Sequence, residues 1–309
     1  MFKVYSHIQN RGTVWNTIVN GFLDFMPCDR FAEVDDIKAA DILMMSGVIR
    51  KGNFYANCAK DISLANCSAV AEELIAIDSC YRVIWIDTMG PSVHRDKKLW
   101  EDTGLRETDI LISSSTIPDW PNTFTHFSPI EKSVFREYGR FHRKKNSVMI
   151  MRDNLETELD WMVHILPVVS ELHVTASNSL LDLADFFGAD VPEKIFCSNL
   201  EYPKGIAYKA SSCDFVLSTR TTVGIEMMGV EAGMCGAQPI YPDTEFYRDI
   251  FDKTGVIFYD TENKVESLKD IISKGRNWTD EQVEAFRTKF SAEDNLPEFW
   301  DSVYSVCST

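Results

Sequence analysis

The sequence has no apolar run that reaches the roughly 18–20 residues required to cross a membrane. Its first eight residues, 1–8, are too short and too polar for a signal peptide, and they suit a first strand. Eight cysteines are present, but none forms a CxxC pair, so the spacing does not support a zinc site. We therefore expect a monomeric cytoplasmic protein whose cysteines are reduced and mostly buried.

Positive charge is also scarce. The net charge of −16 argues against a protein that binds polyanions generally. It does not exclude nucleic acid, because the charge near a contact decides that interaction. One stretch departs from the acidic background: between Glu131 and Arg152 there are seven Lys or Arg and two acidic residues. Such a run is typical of a solvated helix and linker.

The remaining composition is that of a globular protein, with 45% hydrophobic and 25% charged residues and no visible repeat or low-complexity tract. Its 309 residues suit two domains of roughly 150 residues each.

Short apolar runs alternate with helical patterns along the chain, which is the signature of parallel α/β units. In the first half, the spacing predicts strands at Lys3–Ile8, Asp41–Ser46, Arg82–Asp87, Asp109–Ser114 and Phe124–Phe127. It predicts helices at Val14–Phe25, Asn53–Lys60 and Ala69–Ser79.

A second α/β series begins at Ser147–Met151, so the join lies near Arg140–Asn146. The predicted domains are residues 1–143 and 144–309, with a final helix at about 294–309 that returns to the first domain. We expect an α/β protein with two Rossmann-like parallel-sheet domains that face each other across a cleft. Ligands of open α/β sheets bind beyond the carboxyl ends of the strands, so the cleft is the expected site.

The segment Thr221–Asp243 resembles the nucleotide-ribose element of GT-B glycosyltransferases: a helix carries Glu231, then come a small-residue stretch and a strand. A carboxylate there accepts hydrogen bonds from both ribose hydroxyls. The amino end of the helix, with Thr222 and Gly224, suits the diphosphate because its free N–H groups favour anions. The common form of this element has a second acidic residue eight positions before the glutamate, but that position is Val223 here. The alternative for Glu231 is an ordinary acid on a helix surface.

Two arginines are candidates for the diphosphate. Arg220 lies just before this helix, and Arg152 ends the first strand of the second half, where a planar guanidinium suits phosphate oxygens. In GT-B enzymes a lysine commonly follows the second of these arginines five positions later, but that position is Thr157 here. A surface salt bridge is the alternative for each arginine. Phe196 and Cys197 end a strand where such enzymes bracket the base, and a core strand end is their alternative.

The first half offers a candidate base and a sugar pocket. Asp87 ends an apolar strand, and direct displacement at an anomeric carbon requires a base that takes the acceptor hydroxyl's proton. The alternative is a turn-forming Asp, which is common at strand ends. Arg11 and Trp15 follow the first strand and are expected to line the pocket for the donor sugar.

The chain resembles one family more closely, the bacteriophage DNA β-glucosyltransferases, which add a sugar to 5-hydroxymethylcytosine. Identity outside four segments is low, but the order and spacing of those segments run through most of the chain. The four segments are Trp85–Pro91, Phe127–Glu131, Val230–Phe246 and Glu298–Asp301.

The resemblance implies an inverting enzyme in which Asp87 is the general base and Glu231 holds the ribose of a UDP-sugar. Arg152 and Arg220 would neutralise the diphosphate. The family's arginine three residues before its ribose glutamate is Met228 here, and Arg220, which lies earlier in the chain, would compensate for it. The family can use Mg²⁺ or Mn²⁺, but the sequence shows no metal cluster. Glucose is the family's usual donor, and a pentose such as arabinose is the alternative.

The implied partner is double-stranded DNA whose modified cytosine is flipped into the enzyme. The residues expected to contact DNA are Arg50, Lys51, His94, Arg95 and Lys98. Two other functions remain open. One is a GT-B glycosyltransferase for a glycan, lipid or small molecule, and the other is a two-domain binder without catalysis.

Overall fold

The computed structural model describes the chain except residues 8–13, 51–52, 57–63, 88–103, 114–119, 126–128, 140–142, 152–158, 176–182, 184, 189, 198–199 and 221–226. For 14–18, 48–50, 53–56, 64–69, 87, 151 and 159 it describes the backbone alone. The chain divides into two compact units. The first contains Met1–Ile130 and Phe290–Thr309, and the second contains Glu131–Thr221 and Glu226–Lys289.

The first unit is built on a seven-stranded sheet. Its strands are β1 (Phe2–Ser6), β2 (Phe31–Glu33), β3 (Ile42–Arg50), β4 (Asn53–Ala56), β5 (Tyr81–Asp87), β6 (Ile110–Ser113) and β7 (Thr123–Thr125). Its helices are α1 (Val14–Asp24), α2 (Leu64–Ile75) and a 3₁₀ turn at Ile37–Ala39. The strand order is β2-β1-β3-β5-β6-β7 with all neighbours parallel, and β4 pairs antiparallel with β3.

Strand β5 is apolar on both faces, as expected for a central parallel strand covered by helices on each side. Val83 and Trp85 belong to one core cluster, whereas Ile84 and Ile86 belong to the cluster on the opposite face. Asp87 is the last residue of β5, directly after the buried residues 82–86.

A buried ion pair fixes the start of β5. Arg82 donates through Nε and Nη2 to the two carboxylate oxygens of Asp109, at 2.7 and 2.5 Å. Both side chains are almost fully buried, and Asp109 also accepts from the backbone N–H of Arg106 at 2.7 Å. The two-point geometry satisfies both charges away from water and joins β5 to the start of β6.

The predicted helix at Asn53–Lys60 is wrong at its start, because Asn53–Ala56 form β4. The pairing runs from Gly47↔Ala56 to Arg50↔Asn53, which makes a hairpin with β3. Hydrogen bonds from β3 therefore outweigh the helix-like spacing, and the aromatic pair Phe54-Tyr55 suits a strand. Strand β2 was not predicted.

The last helix, α9 (Ala292–Cys307), belongs to the first unit. Ser291 caps it by accepting from the N–H of Asp294 at 3.1 Å. Phe299 and Trp300 are buried in the first unit's core, and the Trp300 indole donates to the Phe22 carbonyl at 2.9 Å. The predicted return of the C-terminal helix to the first domain is confirmed.

The second unit has a six-stranded, wholly parallel sheet. Its strands are β8 (Lys144–Met151), β9 (Leu172–Thr175), β10 (Ile195–Cys197), β11 (Cys213–Leu217), β12 (Gln238–Pro242) and β13 (Ile257–Tyr259). Its helices are α3 (Leu159–Ile165), α4 (Lys204–Ser211), α5 (Met227–Met234), α6 (Glu245–Phe251), α7 (Lys264–Lys274) and α8 (Asp280–Phe290). Both units therefore have the predicted α/β parallel-sheet architecture.

The segment that starts at Glu131 is already bound to the second unit. Tyr138 donates its backbone N–H to Ser211 Oγ at 2.6 Å, and Lys132 pairs with Glu284 at 2.9 Å. The second unit thus begins earlier than the expected join near Arg140–Asn146.

Strand order locates the reversal point of the second sheet. The order is β10-β9-β8-β11-β12-β13, so the chain moves outward from β8 in one direction and then from β11 in the other. In open α/β sheets, ligands bind in a crevice at the point where the strand order reverses. The carboxyl ends of the two strands at this point form the crevice. Among the described helices, none is long and apolar enough to span a membrane.

Candidate functional site

Helix α5 follows β11 and lies close against the sheet because two of its residues are glycines. A Cβ at Gly229 would overlap the Tyr241 hydroxyl, and a Cβ at Gly233 would lie 2.6 Å from the Phe286 ring. Tyr241 and Phe286 are fully buried, so neither ring has room to move aside. Gly229 and Gly233 therefore let α5 pack closely against Tyr241 and Phe286, and this packing determines how deeply Glu231 is buried.

The carboxyl end of α5 is fixed by arginines. Gly236, with φ of 89°, ends the helix in the left-handed conformation. Arg287 donates to the Met234 carbonyl at 2.6 Å, while Arg143 and Arg276 donate to the Gly236 carbonyl at 2.5 and 3.2 Å. Cations at this end complement the helix dipole, so the orientation of α5 is well determined.

Glu231 is buried, with 6% of its surface exposed. In the described part of the chain its side chain has one hydrogen bond, which the Tyr202 hydroxyl donates to Oε1 at 2.7 Å. Burial raises the pKa of its carboxyl to about 7, and the hydrogen bond from Tyr202 partly opposes that rise. An ordinary acid on a helix surface would not be buried. A carboxylate buried with so few donors is costly unless a ligand supplies more.

Tyr202 is a site residue that sequence reasoning missed. It lies just before α4, at a cis Tyr202–Pro203 bond, and its ring packs 6.1 Å from that of Phe135. The residue is 54% exposed although its hydroxyl reaches Glu231. No sequence signal could have paired the two, because their partnership arises only from the packing of α4 beside α5.

Arg220 lies three residues beyond β11, at the reversal of the sheet. Its backbone carbonyl accepts from the Tyr247 hydroxyl at 3.0 Å, which anchors the loop. Its residue surface is exposed, and it has no ion pair among the described residues. The neighbouring Thr219 is buried, and its hydroxyl has no hydrogen-bond partner in the described part. This loop thus presents an exposed cation, a group that suits phosphate.

Met228 occupies the position where the resembled family has an arginine. It is buried, and its sulfur lies 3.8 Å from the Thr175 hydroxyl at the end of β9. The position is therefore part of the core, and a charged side chain there would lack room and solvation. Leaving-group contacts must come from other residues.

Phe196 and Cys197 lie on β10, the edge strand of the second sheet. Phe196 is exposed and stacks on the His173 ring at 5.2 Å, while Cys197 is half-buried. The alternative interpretation was that Phe196 and Cys197 end a strand inside the core, but Phe196 is exposed.

Several predicted site residues cannot be placed. Those outside the described residues are Arg11, Lys51, His94, Arg95, Lys98, Arg152, Thr222 and Gly224. For Trp15 in α1, Arg50 at the end of β3 and Asp87 at the end of β5, only the backbone is described. Asp87 pairs in register with Val48, so it lies on a central strand at the carboxyl edge of the first sheet.

The described residues contain no group of three or more His, Cys, Asp or Glu side chains that could hold a metal ion. No ligand set for Mg²⁺ or Mn²⁺ is therefore assigned.

Comparisons with known proteins identify the architecture. No protein-family model and no curated protein matches the chain. Solved structures do match. HepE from Anabaena, in complex with UDP, gives a TM-score of 0.65 at 10% identity, covering 99% of this chain and 100% of HepE. Sucrose-phosphate synthase from Thermosynechococcus elongatus gives 0.60 at 10%, covering 87% and 74%.

TarM from S. aureus gives a TM-score of 0.56 at 13% identity. The match covers 84% of this chain and 54% of TarM, so the chain spans about half the length of that protein. The matched structures are GT-B glycosyltransferases. The chain accordingly has the GT-B fold, and at these identities the likeness establishes the fold alone.

Proposed function

We propose that this protein is a UDP-sugar-dependent glycosyltransferase whose nucleotide ribose is held by Glu231. The observation that carries the proposal is a buried carboxylate with a single described donor, on the helix that follows the reversal strand β11. Ribose hydroxyls would supply the missing donors. The similar HepE structure contains UDP, which supports this choice of nucleotide.

Diphosphate recognition is assigned to the loops after β8 and β11. Arg220 and Arg152 follow these two strands, and their guanidinium groups would pair with the phosphate oxygens. Thr222 and Gly224, which precede α5, would add hydroxyl and backbone N–H donors. Phe196 and Cys197 would contact the base, and Arg11 and Trp15 the donor sugar.

The proposed reaction is a direct displacement. The Asp87 carboxylate removes the proton from the acceptor hydroxyl, and the acceptor oxygen forms a bond to the anomeric carbon. The bond between that carbon and the β-phosphate oxygen breaks, and UDP leaves with the electron pair. The anomeric configuration is inverted, and Asp87 carries the proton away. Glu231 binds the nucleotide throughout and exchanges no proton.

The proposed acceptor is the hydroxymethyl group of 5-hydroxymethylcytosine in double-stranded DNA, with glucose or a pentose such as arabinose as the donor sugar. The four colinear segments that resemble phage DNA β-glucosyltransferases support this acceptor. Flipping the base costs a few kcal/mol, which phosphate contacts would offset. Arg50, Lys51, His94, Arg95 and Lys98 are proposed to make those contacts.

The second candidate is transfer to an acceptor other than DNA. The net charge of −16 favours it, because phosphate contacts are harder for an acidic protein. Two structurally similar proteins also support a non-DNA acceptor. One TarM structure holds α-GlcNAc-glycerol, and AviGT4 acts in avilamycin A biosynthesis.

Mass spectrometry of DNA after incubation with a panel of UDP-sugars tests both candidates. We expect hydroxymethylcytosine duplex DNA to gain the mass of one hexose or pentose per modified base, and matched unmodified DNA to gain none. Release of UDP without any change in DNA mass would favour another acceptor. Absence of both binding and turnover with every UDP-sugar would contradict the proposed function.

A further inference from the structure

Tyr202 connects the protein surface to the buried carboxylate of Glu231. The residue is 54% exposed, yet its hydroxyl donates to Glu231 Oε1 at 2.7 Å. In the described part of the chain, Oε2 has no hydrogen bond. One oxygen is thus held by Tyr202, while the other has no donor among the described residues.

We infer that Tyr202 is a positioning residue that holds the Glu231 carboxylate in place for the ribose hydroxyls of a nucleotide. The inference rests on the function proposed above. A carboxylate offers about four acceptor sites on its two oxygens. The tyrosine hydroxyl takes one of them and two ribose hydroxyls would take two more, so tyrosine and nucleotide can bind Glu231 together.

The backbone around Tyr202 is fixed well enough for this task. Gly205 donates its N–H to the Glu201 carbonyl at 2.7 Å, and Ala207 donates to that of Pro203 at 3.1 Å, so the turn into α4 holds the backbone on both sides of Tyr202. The Phe135 ring lies 6.1 Å from the Tyr202 ring. A fixed donor reduces the number of rotamers open to Glu231, which lowers the entropy lost when ligand binds.

Tyr202 also favours the charged form of Glu231. Burial raises the pKa of this carboxyl, and the Tyr202 hydrogen bond lowers it. Other titratable groups nearby are the Cys235 thiol, whose pKa the Glu231 charge raises, and Glu131, which acts on Tyr202. Neither of these favours ionisation of Glu231. Removal of the hydroxyl should therefore reduce the fraction of carboxylate at neutral pH.

The test is the pH dependence of UDP affinity, measured by calorimetry from pH 5.5 to 9 for the wild type and Tyr202→Phe. We expect the midpoint to rise by about one pH unit in the variant, since a hydrogen bond to a charged group is worth at least that much. Near pH 6.5 the affinity should fall by up to about tenfold more than near pH 9, where only the loss that comes from the freed carboxylate rotamers should remain.

Tyr208→Phe is the matched control, because Tyr208 lies on α4 and is 59% exposed. Its profile should superimpose on that of the wild type. An unchanged midpoint in Tyr202→Phe, or an equal loss of affinity at every pH, would overturn the inference, since a merely structural role predicts the latter.

A second measurement separates this inference from the proposed function. The titration of Glu231 can be followed without nucleotide by ¹³C NMR of labelled glutamate, with Glu231→Gln used to assign the signal. If the wild type binds no UDP at any pH, the proposed function fails. The Tyr202 contact is then still tested by whether Tyr202→Phe moves the midpoint of Glu231 upward or leaves it in place.

Discussion

Asp87→Asn is expected to lower the rate of sugar transfer by about 10²–10⁴-fold, the range that general base catalysis contributes. An asparagine amide has nearly the same shape as the carboxylate, but it cannot take the acceptor proton. UDP affinity should stay within about twofold to threefold, because Asp87 belongs to the first unit, whereas Glu231 and Arg220 belong to the second. The loss should therefore appear in kcat and not in nucleotide binding.

Single-turnover transfer at saturating UDP-sugar measures this effect without interference from product release. Asp24→Asn is a suitable control, since it makes the same chemical change at an exposed position at the end of α1. The control should transfer at the wild-type rate. Full transfer by Asp87→Asn would show that another group is the base, and Asp87 would then be a turn-forming residue at the end of β5.

Glu231→Gln is expected to weaken UDP binding by roughly 10–100-fold at pH 8. Hydrogen bonds to a charged acceptor are worth about 1.5–3 kcal/mol, against about 1 kcal/mol for neutral pairs, and the variant loses the charge at the ribose. Calorimetric titration of UDP measures the change. Glu262→Gln, at an exposed position before α7, should bind UDP as the wild type does.

The same substitution should stabilise the ligand-free protein at pH 8. The Glu231 pKa is about 7 in the folded protein, against an ordinary value of 4.5. Below pH 4.5 the carboxyl is protonated in both the folded and unfolded states, so it costs nothing. Between these values the unfolded chain loses the proton and the folded protein keeps it, so stability falls with rising pH. Above pH 7 the cost is constant at about 3 kcal/mol.

Glutamine removes this cost, because it stays neutral and its amide oxygen can still accept from Tyr202. The Tm of Glu231→Gln should therefore exceed that of the wild type at pH 8 and approach it at pH 4.5. Weaker binding together with higher stability is the pattern of a residue kept for a ligand. Lower stability at pH 8, or unchanged UDP affinity, would make Glu231 a structural acid.

The parallel sheet of the second unit was readable from the sequence because β9, β11 and β12 are buried throughout, and strands buried on both faces appear as short apolar runs. The errors lie where pairing partners decide the structure. Asn53–Ala56 become a strand through β3, and β2 has only three residues, too few to show a period.

The sequence also predicted that Glu231 lies on a helix that precedes a strand, because the small residues after it show where that helix ends. Its burial and its partner were not predictable. Tyr202 lies 29 residues earlier on a separate loop, and only the packing of α4 and α5 brings its hydroxyl to the carboxylate. The role of Met228 likewise depends on its contact with Thr175 at the end of β9, which no local pattern reveals.

A crystal structure of the protein with UDP would test the central claim most directly. The account predicts that the ribose hydroxyl oxygens lie about 2.5–3.2 Å from the carboxylate oxygens of Glu231, with the diphosphate beside the loop that follows β11. A nucleotide bound elsewhere, with no contact to Glu231, would contradict it.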